Sequence, residues 1–278
     1  FILLMINKIF FHADDFGRSK IISKNIYKCI KLGIINSISI MIGFNENYFD
    51  KIKKDKNLNI RLHLNLTEYY TKSFLNENYS FLRLLLLRIS PNYLTHKKKI
   101  KKEIENQITY FKNKFRVKNI QIDSHEHIHV IPWINDIIIS LKKKHNIVEL
   151  RDPIEKYYFV TFKDIININY LMNMIKFSLI KFLSIFHNKN KKTLIKKNFT
   201  GLLYTGFQNF NSITKGIRLN LIKNKSLEVL IHPGYTNYSE IKLFKQRYFG
   251  YYSSKKRIDE FKLASSKKIV NFLNKPRG

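Results

Sequence analysis

The sequence predicts a parallel α/β fold, and three observations carry the prediction. Short stretches rich in Ile, Val and Leu alternate with longer segments of helical period. A chain of 278 residues that is 44% hydrophobic can bury one large core. The notable polar clusters each begin where an apolar stretch ends. In barrels of parallel strands the C-terminal strand ends open onto one face, so residues scattered along such a sequence become one pocket. No repeat or low-complexity linker divides the chain, and residues 1–278 are expected to form one domain rather than two small ones.

Ile6 to Phe11 is expected to be the first strand. Ser19 is placed to cap the helix that follows, Ile22, Ile26, Cys29 and Ile30 share one of its faces, and Gly33 sits where it should stop. Ser37 to Ile42 and Asn59 to Leu66 are expected as the second and third strands. Thr95 opens a long charged helix to Phe115, Asn119 to Asp123 is expected as a strand, and Pro132 starts another helix at a position that tolerates proline. Strands are expected near Ile147 to Leu150 and Leu227 to Ile231, with a last helix from about Lys255 to Leu273. Residues 165–187 break this rhythm with an amphipathic apolar stretch among Lys176 and Lys181. Two readings fit this insertion: a helix packed on the barrel, or a face that meets a membrane or covers substrate.

The formal charge of +31 raises nucleic acid as a partner. The excess is almost all Lys, and the ten Arg are spread from Arg18 to Arg277 without the clusters that phosphate and base readers use. The charge therefore reads as a solvated basic surface, and no nucleic acid is expected. The single cysteine, Cys29, excludes an internal disulfide and a Cys-type zinc site. Phe1 to Leu4 are apolar, but Lys8 and Asp14-Asp15 follow before a secretory h-region develops, and Met5 is a candidate natural start. No apolar run reaches the roughly 18 residues of a spanning helix, so a cytoplasmic location is expected, with peripheral contact at the inner membrane face as the variant.

Alternation in the third strand puts Arg61, His63, Asn65 and Thr67 on one side. The same period puts Asp123, His125, His127 and His129 on a common side if that strand stays extended. Three imidazoles converging with a carboxylate are costly for a passive core, and they form a donor set suited to zinc and similar ions. Adjacent carboxylates at Asp14 and Asp15 repel each other unless a cation sits beside them. A metal supplies that charge, and one Asp then ligates it while the other takes a proton from water.

The run His12-Ala-Asp-Asp-Phe-Gly-Arg-Ser19 is followed by Asn25-Ile26, Gly33-Ile34, Ser37 and Met41. Then come His63-Leu-Asn-Leu-Thr67, Asp123-Ser-His-Glu-His-Ile-His129, and Glu228 with His232-Pro-Gly-Tyr235. In this order the series resembles the YdjC-like carbohydrate deacetylases, from residue 6 to about residue 262. That family includes chitooligosaccharide deacetylases and enzymes acting on a glucosamine-bearing hopanoid lipid.

The resemblance implies a distorted TIM-like β/α barrel of the glycoside hydrolase/deacetylase type. It implies one divalent metal ion, magnesium or zinc, held by Asp15, His63 and His125, with Asp14 as general base and His232 as general acid. Arg151, leaving its strand at the same face, is a candidate to orient Asp14 or to contact substrate, and His127 and Tyr235 join it as candidate substrate contacts. Trp133, Tyr69, Tyr70 and Tyr235 offer aromatic faces of the kind sugar pockets use. The expected reaction is hydrolysis of an N-acetyl group on an amino sugar, carried by a free oligosaccharide or by a lipid-linked glycan; that substrate is the expected partner, and peripheral membrane contact and a homodimer are alternatives the sequence leaves open. A metal hydrolase of another ester or amide on the same barrel is the rival. Two features depart from the family: His12 stands where Asn is usual, which bears on the base, and the segment from Arg151 to Gly201 differs, which bears on the substrate.

Overall fold

In the computed structural model, which describes residues 9–68, 75, 79–187, 194 and 197–274, seven parallel strands form one curled sheet in the order β5-β4-β3-β2-β1-β7-β6. They are β1 (Ile9–Phe16), β2 (Ser37–Ile40), β3 (Asn59–Leu64), β4 (Ile120–Ser124), β5 (Ile147–Leu150), β6 (Lys197–Thr200) and β7 (Ser226–Ile231). This is a distorted TIM-like barrel. The two end strands meet through side chains: the Lys197 ammonium on β6 donates to both oxygens of Glu149 on β5, at 2.6 and 2.7 Å.

The helices follow from their caps and apolar stripes. Ser19 accepts from the Ile22 amide, Lys20–Lys31 follows, and Ile22, Ile26, Cys29 and Ile30 are its buried face. Tyr93–Phe115 buries Ile100, Ile104, Ile108 and Phe111 at helical spacing, and Pro132 opens Pro132–Ser140. Among the elements the sequence reading did not anticipate are strand β6, the helix Phe210–Asn220 and the short helices Phe49–Lys53, Phe81–Leu86, Lys142–His145 and Gln246–Tyr252. β6 has only Phe199 among polar neighbours, and the helix Phe210–Asn220 is opened by an Asn209–Ser212 capping box. The expected last helix is two, Lys255–Ala264 and Lys268–Asn274, parted around Ser265 and Ser266. Residues 1–8, Tyr69 and Tyr70 lie outside the described residues.

Polar side chains, unusually, fill the interior near the strand ends. Arg61 on β3 bonds Glu149 and Glu228, and Arg151 after β5 bonds Glu228, Asp14 and Asp123, with N–O distances from 2.6 to 2.8 Å. A buried charge costs several kcal/mol unless paired, and here each cation meets at least two carboxylates.

Candidate metal centre and active site

β1 runs on through the Asp pair, past its expected end at Phe11. Alternation would send neighbouring Asp14 and Asp15 to opposite faces. The pairing with β2 slips between Ala13 and Phe16, and Asp15 takes a left-handed φ of 70°. That conformation costs a non-glycine residue about 1–2 kcal/mol, and both carboxyls consequently border one cavity. Gly17, two residues on, also has positive φ, and a Cβ there would lie 2.4 Å from the Met41 carbonyl oxygen.

β4 ends at Ser124, and the chain turns at once through His125–Val130 with positive φ at Glu126 and His127. The expected common side for Asp123, His125, His127 and His129 is therefore corrected, because the strand does not stay extended. His125 and His127 line the cavity. His129 turns away, its Nε2 bonded to the Arg151 carbonyl at 3.1 Å.

Asp15, His63 and His125 offer ligand atoms that all lie within 4.8 Å of one another. Asp15 Oδ1 is 3.6 Å from His63 Nε2 and 3.2 Å from His125 Nδ1. The opposite nitrogen of each ring faces a carboxylate. His63 Nδ1 lies 2.6 Å from Asp123 Oδ1, and His125 Nε2 lies 3.1 Å from Glu68 Oε1. Such outer carboxylates orient a metal-binding imidazole and raise its basicity. Two further groups among the described residues are as close, His12-Asp123-Glu228 and Asp14-His63-Asp123. Their carboxylates are taken by Arg151, and His12, Asp123 and Glu228 do not reach the cavity.

The electrostatics also call for a cation. Burial opposes charge on His63, but the Asp14 and Asp123 carboxylates outweigh it and push its pKa up to about 9. Burial likewise opposes charge on His125, and hydrogen bonds to Asp15 and Glu68 push it up to about 10. A pocket that draws protons onto two imidazoles is one where a divalent ion can replace them. Burial raises the Asp15 carboxyl while Arg257 and the two imidazoles hold it well below the usual range.

Asp14 is pinned from three sides. Arg151 donates to both its oxygens, the Ser39 hydroxyl donates at 2.9 Å, and His12 Nε2 stands 3.1 Å from Oδ1. Burial works to raise this carboxyl, yet Arg151 and His63 keep it well below the usual range and so ionised at neutral pH. The structure thus brings Arg151 to Asp14 and leaves it behind the cavity wall, and Tyr235 also lies outside that wall, its ring against Phe261.

His232 and His127 do line the cavity, and the Nδ1 of each is buried without a hydrogen bond among the described residues. The His232 amide donates to Glu260 at 2.7 Å, which fixes the His-Pro-Gly-Tyr turn. Burial first, and then the Arg151 charge, push His127 down to about 3, so its ring is neutral.

Several site residues were missed. Arg257 donates to Asp15 Oδ2 at 2.9 Å and to the Gly234 carbonyl at 3.3 Å, tying the last turn to Asp15. Nothing in its Lys-rich surroundings marks it. Glu68, held by Arg18 at 2.7 Å, directly follows the His63–Thr67 motif, and that adjacency was a usable signal.

The cavity holds about 570 Å³. Its floor is Asp14, Asp15, His63, His125, His127 and His232, and its outer wall includes Phe81, Leu82, Leu179, Ile180 and Leu202.

The YdjC-like protein family matches residues 8–275. The chain belongs to the YdjC-like family. A carbohydrate deacetylase from Clostridium beijerinckii is 25% identical over 96% of this chain and 95% of its own length. A carbohydrate deacetylase from Xenopus laevis is 25% identical over 53% of this chain and 51% of its own length. A solved structure from Enterococcus faecalis, of a protein assigned to cellobiose-phosphate cleavage, superposes with a TM-score of 0.64 at 15% identity, covering 95% of this chain and 92% of that one. At that identity the likeness speaks for the fold alone.

Proposed function

We propose that this protein is a metal-dependent hydrolase that removes the N-acetyl group from an N-acetylated amino sugar, releasing acetate. The observation that carries the reading is the convergence of Asp15, His63 and His125 on the floor of a cavity that Asp14 and His232 also line. The relatives named carbohydrate deacetylases support the substrate class.

Two imidazoles and one carboxylate favour zinc or a similar first-row ion over magnesium, which prefers oxygen donors. When bound, such an ion supplies Lewis acidity that makes water a better nucleophile and polarises a carbonyl. Asp14, ionised and fixed by Arg151, accepts the proton of the attacking water. An amide nitrogen leaves poorly as an anion, so a proton must reach it, and His232 on the same wall delivers it. His127 is neutral, with one ring nitrogen to donate and one to accept, which suits a sugar hydroxyl. Purified, metal-loaded protein offered a panel of N-acetylated oligosaccharides and lipid-linked sugars should release acetate from at least one of them. A panel with no release, from protein shown to hold its ion, counts against the reading.

A further inference from the structure

The helix Ile168–Ile185 is apolar on both faces. Its inner face, with Tyr170, Phe177, Ile180 and Leu183, is buried against Phe199 and Tyr204. On its outer face Ile168, Leu171, Ile175, Leu179, Phe182 and Ile185 recur every three or four residues, and all are exposed, Ile185 to 73%. A surface helix of a soluble protein is polar there, and an apolar stripe of this length marks a contact surface.

A second apolar arm borders the same cavity. It runs from the helix Phe81–Leu86 into the start of Tyr93–Phe115 and exposes Leu82, Leu86, Ile89 and Leu94, with Ile89 at 82%. Leu82 and Leu179, one from each arm, line the cavity, and both arms rest on the His125–Val130 turn that carries the metal ligand. The two stripes therefore frame the mouth.

The charge carried on the two arms themselves has one sign. Neither the segment from Ser80 to Lys102 nor that from Ile165 to Phe186 contains an Asp or Glu. Arg83, Arg88, Lys98, Lys99, Lys176 and Lys181 are exposed beside the apolar residues. Apolar side chains flanked only by cations match an anionic interface, where the hydrocarbon enters and the basic groups meet phosphate. A second copy of the chain would bring like charge against like charge. No helix among the described residues is long and apolar enough to cross a membrane, so the fit is to a surface.

We propose that these two arms dock the protein on an anionic phospholipid bilayer, with the cavity mouth turned toward the headgroups. The proposal rests on the surface and is independent of the reaction. Full-length protein should sediment with phosphatidylcholine vesicles containing phosphatidylglycerol, stay in solution with phosphatidylcholine alone, and lose binding as salt rises. Ile175→Ser with Phe182→Ser and Ile185→Ser, and separately Leu86→Ser with Ile89→Ser, should each lower the bound fraction about tenfold or more while circular dichroism and Tm hold. Asp15→Ala should bind vesicles as the unaltered protein does, because the docking surface is separate from the metal floor. Failure to sediment with anionic vesicles at low salt overturns the proposal. So do serine variants that bind undiminished, or a dimer in solution that the same substitutions dissolve.

Discussion

The Arg151 guanidinium holds both oxygens of Asp14, at 2.8 and 2.9 Å, and with the same group reaches Asp123 at 2.7 Å and Glu228 at 2.6 Å. One cation thereby fixes the orientation and ionisation of the proposed base. It also ties the end of β5 to β1, β4 and β7.

Asp14→Asn should lower turnover by about 10²–10⁴-fold, the usual worth of a general base, and leave metal content unchanged. Activity assays beside metal analysis of the same sample check this. Loss of metal with loss of turnover would exchange the roles of Asp14 and Asp15, and normal turnover would remove Asp14 from the mechanism.

Arg151→Met should destabilise the metal-free protein by about 3–5 kcal/mol at neutral pH, because it strands buried carboxylates. In the unaltered protein burial raises Asp14, Asp123 and Glu228, but Arg151 and other cations bring each below its ordinary value. Their contribution is thus present above the unfolded pKa and lost as pH falls through the folded one. Without Arg151 burial dominates and the folded pKa values rise. Folding then takes up protons, and the deficit of the variant should shrink on acidification from pH ~7 toward pH ~5. Urea unfolding at the two pH values reads the difference, and a deficit that grows on acidification would contradict this account.

His232→Ala should slow amide hydrolysis by about 10²–10⁴-fold yet spare an activated aryl acetate, whose leaving group departs without a proton. Equal losses on both substrates would point to a positioning role instead.

Glu68→Gln should weaken metal affinity by about 10–100-fold through a less firmly held His125. At saturating metal kcat should recover. A kcat that stays low with the site filled would place Glu68 nearer the reacting atoms.

The strand ends were legible because the polar motifs begin as apolar runs end, which fixes the end of the barrel they reach; the trio Asp15, His63 and His125, whose ligand atoms the structure brings within 4.8 Å of one another, came instead from the family resemblance. Asp14 and Asp15 sharing a cavity was not legible. Strand alternation says the opposite, and only the register slip and left-handed Asp15 reconcile them. The common side expected for His127 and His129 failed for the related reason that β4 stops at Ser124 and the αL turn resets the side-chain directions. Arg257 was hidden because its partner Asp15 is 242 residues away in the chain, and a long-range ion pair leaves no local pattern.

Metal content and acetate release, measured together on the unaltered protein and on Asp15→Ala, His63→Ala and His125→Ala, test the metal centre most directly. One ion per chain with acetate release, and loss of both in every ligand variant, is the expected result. Full turnover by chelator-treated protein, or any of the three variants keeping its ion at undiminished affinity, would contradict the assignment of Asp15, His63 and His125 as the metal site.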